Sequence, residues 1–224
     1  MITLYYWPGL PGRGEFIRLL LAVAEQDYVD VGRRDGAKAI AEARERFGGF
    51  APPYLEFDNR VLAQCPLILR TLAEHYDLTG DSPEQAEMAV LTLMDLVSEV
   101  HHTHHPISTE LFYDNQVSEA KRAANLFLAH RLPLFLDWVA AVGGGDRFWF
   151  GGFCYADVVL LQVLDGLVYA FPNAMAREYA ARPELLKLRG RIDAVPTVRG
   201  HRQSIRHVPF TNHGLFRHYP ELDP

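Results

Sequence analysis

The segment APPYLEFDNRVLAQCPLILR, residues 51–70, constrains the fold of this chain more than any other. A proline pair leads into a short strand, Asp58-Asn59 supplies a turn, and a second strand runs up to Gln64-Cys65, which opens an apolar helix. This order sets a cis-proline candidate, Pro53, beside a helix N-terminus, so that unpaired backbone groups from both face one small ligand. An extended peptide can pair with the backbone before Pro53 while its carboxylate rests on the helix N–H groups. That is a peptide-thiol site in outline.

Two hundred and twenty-four residues suffice for one large or two small domains. Apolar residues make up 49% and charged residues 22%, as in an ordinary globular protein. The net charge of -6 argues against a general affinity for nucleic acid or anionic membrane. Two cysteines, Cys65 and Cys154, form no disulfide framework and fit a reducing compartment. The opening MITLYYWPG lacks the basic region of a signal peptide, and no apolar run is long enough to span a bilayer, so a cytoplasmic location is expected.

Up to about residue 80, strand and helix signals alternate. Strands are expected at Ile2–Trp7, Tyr28–Val31, Tyr54–Phe57 and Val61–Leu62, and helices at Glu15–Glu25, Ala37–Arg46 and Pro66–His75. The order β-α-β-α-β-β-α describes a thioredoxin-like α/β domain over residues 1–80. LTGDSPEQ then marks a linker and a new helix start. From residue 84 to residue 224 the pattern is all-helical, with segments near 84–112, 116–141, 155–171, 175–181, 184–193 and 197–205, and with Pro106 and Pro133 as expected kinks or breaks.

Three motifs, LYYWPGLPGRGEFIRLLL, APPYLEFDNRVLAQC and FGGFCYADVVLLQVLDGL, resemble the cytosolic glutathione transferases over nearly the whole length. The first is similar to the tyrosine-type classes (mu, pi, alpha and sigma), whose opening strand ends in a Tyr followed by an aromatic. The resemblance implies that Tyr6 is catalytic, with Tyr5 as the alternative. A free thiol titrates near ~8.5, and a phenol hydrogen bond to a charged sulfur, worth about 1.5–3 kcal/mol, suffices to lower that by one or two units. No metal or redox cofactor is then required; glutathione is a cosubstrate.

The resemblance further implies that Pro53 is the cis-proline and that the backbone of Pro52 pairs with the cysteinyl part of glutathione. Gln64 and Cys65 stand where the family has a Gln-Ser pair for the γ-glutamyl end; the thiol is a weak donor, while the Cys65 N–H is kept. A reactive Cys65 at a helix N-terminus is the alternative reading. Arg44, with Arg46 nearly as good, is implied for the glycyl carboxylate, Arg13 for tuning the thiolate, and Asp95 for reaching the γ-glutamyl amine across a homodimer. The loop holding Pro8 and Leu10 is one residue longer than in the mu class and forms, with His101, His105 and Tyr113, the expected wall of a hydrophobic pocket. The run VHHTHHPI raises a metal site as an alternative, since His101 shares a helix face with His104 and His105, yet no Asp, Glu or Cys completes the set.

CYAD, residues 154–157, occupies the family's capping-box position, with Asp157 able to cap and Cys154 poorly suited to it. The aromatic tail from His207 is expected to dock on the helical domain or to fold over the pocket as a lid. The expected function is conjugation of glutathione to hydrophobic electrophiles by a homodimer. A sigma-like isomerase or peroxidase and a non-catalytic binding or assembly protein are the alternatives.

Overall fold

The computed structural model describes residues 1–143 and 147–224. Four strands form one sheet: β1 (Ile2–Tyr5), β2 (Tyr28–Asp30), β3 (Tyr54–Phe57) and β4 (Arg60–Ala63), in the order β2-β1-β3-β4. β1 and β2 are parallel, joined through helix α1 (Gly12–Val23), and the other pairings are antiparallel. The β3–β4 turn is the expected Asp58-Asn59 pair, with φ of 51° and 57°. Positive φ at both central residues is what the twist of a two-residue hairpin requires. The Pro52–Pro53 peptide bond is cis.

Side-chain alternation along β1 sorts the first residues between two faces. Ile2 and Leu4 join the main core with Phe16, Leu20 and Ile68, under α1 and α3 (Cys65–His75). Tyr5 points the other way, into a smaller cluster with Val31, Ile40 and Tyr54 under α2 (Val31–Phe47). α2 starts six residues earlier than expected because two helical pieces run together across Gly36, whose φ of 81° only glycine adopts readily. α1 likewise starts at Gly12 rather than Glu15, and β1 stops at Tyr5, short of Trp7.

The helical part comprises α4 (Pro83–His104), α5 (Val117–Leu126), α6 (Leu132–Gly143), α7 (Tyr155–Ala170), α8 (Pro172–Ala181), α9 (Pro183–Asp193) and α10 (Pro196–Gln203). α7 is buried almost all round, as a central core helix must be, and it packs against α1 and α4. The Asp157 carboxylate accepts the amides of Cys154 and Trp149, both at 2.9 Å, so the Asp half of the expected cap is present. α8, α9 and α10 each begin with a proline, whose missing N–H costs nothing in the first turn.

One expectation needs correction. The helix expected over 84–112 ends at His104, two residues before Pro106, which disfavours helical backbone in the residue preceding it. Near Pro133 the expected helix is interrupted, α5 ending at Leu126 and α6 starting at Leu132. A π-helical turn at Phe127–Arg131 widens the spiral just before it, and the Leu132 amide bonds to the Phe127 carbonyl five residues back. The proline is thereby accommodated in the first turn of α6.

The C-terminal segment docks. Tyr219 stacks on Tyr113 with ring centroids 3.6 Å apart, and the Asp223 carboxylate accepts the Asn173 and Ala174 amides at the start of α8. No helix among the described residues is long and apolar enough to cross a membrane.

Candidate functional site

Tyr6 follows β1 and continues the face of Ile2 and Leu4, so its ring lies over the start of α1. A Cβ on Gly14 would lie 2.5 Å from its ring, and one on Gly12 would lie 2.1 Å from its hydroxyl oxygen. Gly12 also has φ of 38°, and the two glycines together open the slot that the phenol fills. Pro11 offers α1 no side-chain cap. The Arg13 amide, one of the orphan donors of the first turn, instead donates to the Tyr6 hydroxyl at 2.9 Å. That bond occupies an oxygen lone pair and leaves the phenolic proton for another acceptor.

Burial raises the Tyr6 pKa above the ordinary phenol value, against the opposing pull of the Arg13 amide and charge. The group is therefore a neutral O–H donor at physiological pH. Tyr5 is committed elsewhere: its hydroxyl donates to Glu56 Oε2 at 2.6 Å and accepts from Arg46 Nη2 at 2.8 Å, on the α2 side. Arg46, the runner-up to Arg44, is engaged there as well, bonding Glu56 at 3.0 Å.

Cys65 sits next to this centre. Its Sγ is 3.4 Å from the Arg13 carbonyl, the residue is 1% exposed, and burial pushes the thiol up to about 12. A reactive thiolate at Cys65 is thus disfavoured, because the apolar core outweighs the helix N-terminus. Gln64, just before it, holds φ of 70° and ψ of 116°, a sparsely populated backbone for a non-glycine residue.

The other expected residues are spread around this nucleus. Pro8 is exposed and Leu10 half-buried in the loop before α1. Arg44 is exposed near the end of α2, and Asp95 is exposed on α4. Tyr113 is held by its stack on Tyr219 and donates to Glu221 at 2.9 Å, so it serves the docked C-terminus. His101 and His105 are stacked 5.2 Å apart at the end of α4, together with His104. Burial is the main force lowering these imidazoles, to about 4 for His101 and about 3 for His104.

A buried ion network beneath Tyr6 escaped the sequence reading. Arg18 bonds Asp30 at 2.7 Å, Glu15 at 3.3 Å and the Leu10 carbonyl at 3.2 Å, and its guanidinium lies 5.7 Å from the Tyr6 ring centroid. Burial opposes its charge, yet Asp30 and Glu15 raise its pKa above the ordinary value. Glu15 also meets His201 Nε2 of α10 at 2.7 Å. The network joins loop, α1, β2 and α10, and so fixes the platform on which the phenol lies. The only hint in the sequence is the i, i+3 spacing of Glu15 and Arg18 between apolar neighbours. A cavity of about 430 Å³ opens beside Glu15 and His201; Tyr6 does not line it.

Comparison with known proteins places this geometry in context. The family model described as Glutathione S-transferase, C-terminal domain, matches residues 101–204. A class-mu 26 kDa glutathione S-transferase isozyme of Fasciola hepatica is 23% identical over 215 residues, covering 93% of this chain and 90% of the relative. A glutathione S-transferase of Plasmodium yoelii yoelii is 25% identical over 172 residues, covering 73% of this chain and 77% of its own. The solved pi-class glutathione S-transferase of Onchocerca volvulus superposes with a TM-score of 0.69 at 20% identity, over 89% of this chain and 91% of the other. That likeness carries the fold: a thioredoxin-like unit followed by a helical one.

Proposed function

Because this chain belongs to the cytosolic glutathione transferase family, we propose that it transfers the glutathione thiolate to hydrophobic electrophiles, with Tyr6 as the hydrogen-bond-donating phenol. The observation that carries this reading is the Tyr6 hydroxyl, bonded to the Arg13 amide through its oxygen and free to donate its hydrogen.

In this account residues 1–80 bind glutathione and residues 84–224 supply the acceptor wall. The peptide lies extended along the backbone of Pro52 beside the cis bond to Pro53, with its γ-glutamyl end at Gln64 and the Cys65 amide. Arg44 takes the glycyl carboxylate, and Asp95 reaches into the second subunit of a homodimer. Arg13 places its charge near the sulfur. The positive end of α1 acts in the same direction, since a helix N-terminus favours nearby negative charge.

The thiol proton leaves to solvent, and the phenol O–H, keeping its own proton, donates a hydrogen bond to the resulting thiolate. A hydrogen bond to a charged acceptor is worth about 1.5–3 kcal/mol, which lowers the thiol pKa by about one to two units. The thiolate attacks an electrophile held on the side of Pro8, Leu10 and His101, where the product's apolar group is shielded from water. No cofactor is needed for this chemistry.

The test is retention of the wild-type chain on immobilised glutathione, followed by conjugation assays of wild type and Tyr6→Phe. Retention by both, with a conjugation rate falling about 10- to 100-fold in the variant, supports the reading. Retention without turnover in the wild type would instead identify a binding protein.

A further inference from the structure

Three histidines, of which only His101 is assigned to the acceptor wall, meet where α4 ends. His101 and His104 share a face of the helix at i, i+3. His105 leaves the helix with φ of -136° and ψ of 57°, and this turn brings its ring back against the other two. One ring nitrogen from each lies within 4.8 Å of the others, and His104 and His105 are buried. His102, one residue away, stands outside the group.

The proton inventory shows what this cluster is suited to hold. His104 Nε2 lies 3.0 Å from the Leu215 carbonyl, which can only accept, so the proton sits on Nε2 and Nδ1 presents a lone pair. That lone pair faces His105 Nδ1, whose N–H can donate to it, so the two nitrogens meet across one bridging hydrogen. A zinc-class ion at about 2.0–2.1 Å from each nitrogen needs them about 3.3 Å apart, a small opening of two rings on adjacent residues.

The Leu215 carbonyl is also the kind of outer partner that metal-bound imidazoles have, fixing tautomer and ring plane. Its backbone is anchored next door, where Phe216 packs on Gly166 so closely that a Cβ there would lie 2.4 Å from the ring.

We propose that His101, His104 and His105 bind one borderline-soft divalent transition-metal ion, of the zinc class, through three imidazole nitrogens and one exchangeable ligand. Bound metal would tie the end of α4 to the C-terminal segment through His104 and Leu215.

Cobalt(II) is the probe, titrated into the full-length, tag-free chain after chelator treatment and followed by its visible d–d absorption. One equivalent is expected to bind with tetrahedral intensity and to be displaced by zinc. His104→Ala and His105→Ala each lower the affinity by at least about 100-fold, and His102→Ala leaves it unchanged. Should the buried variants lose their helical circular dichroism, the half-buried His101→Gln carries the same expectation in a folded chain. Absence of stoichiometric binding by the wild type overturns the proposal. So does binding that His101→Gln leaves intact, or that His102→Ala abolishes.

Discussion

The backbone amide of Arg13 donates a 2.9 Å hydrogen bond to the hydroxyl of Tyr6. This contact joins the end of the first strand to the N-terminus of the first helix and sets the direction in which the phenol can donate its hydrogen bond.

Exchanging the two tyrosines one at a time separates chemistry from packing. Tyr6→Phe is expected to lower kcat/KM for conjugation by about 10- to 100-fold. Tyr5→Phe removes only the link to Glu56 and Arg46, with a stability cost of about 1 kcal/mol and kcat/KM essentially unchanged. Steady-state kinetics and urea unfolding of both variants check this pair.

Gly14→Ala puts a methyl group 2.5 Å from the Tyr6 ring. Overpacking of this kind costs about 1–3 kcal/mol, and here the ring must shift to relieve it. Lower thermal stability together with lower kcat is expected; Gly190→Ala, with open space around its Cβ, serves as the control.

Arg18→Met leaves Glu15 and Asp30 buried without their shared cation. Breaking a buried ion network from one side costs about 3–5 kcal/mol. Urea unfolding measures the loss, and a fall in kcat is expected with it because the Leu10 carbonyl and the Tyr6 ring lose their support.

Burial pushes both Cys65 and Cys154 up to about 12 from an ordinary thiol value of 9.0. Neither thiol is expected to react with a disulfide reagent near neutral pH until denaturant is added. The unfolded chain releases these protons first, so between pH 9.0 and about 12 the folded state binds more protons and loses stability as pH rises. Stability that stays level across that window, or rapid labelling of the native chain, would contradict the buried placement.

The sequence carried the hairpin and the choice of phenol for physical reasons. Asp58-Asn59 tolerates the left-handed backbone that a two-residue turn needs, and strand alternation puts Tyr6 with Ile2 and Leu4 over the first helix. Arg18 was hidden because a charged residue on a helix reads as solvated unless the partners that neutralise it, Asp30 from another element among them, are known. The turn of His105 back onto His104 follows from where α4 stops, and the π turn before Pro133 from a local change of register. Periodicity records neither.

The most direct measurement is the pKa of the glutathione thiol in the bound complex, read from thiolate ultraviolet absorbance for wild type and Tyr6→Phe. The account predicts a value about one to two units lower in the wild type than in the variant. Equal values in the two proteins would contradict it.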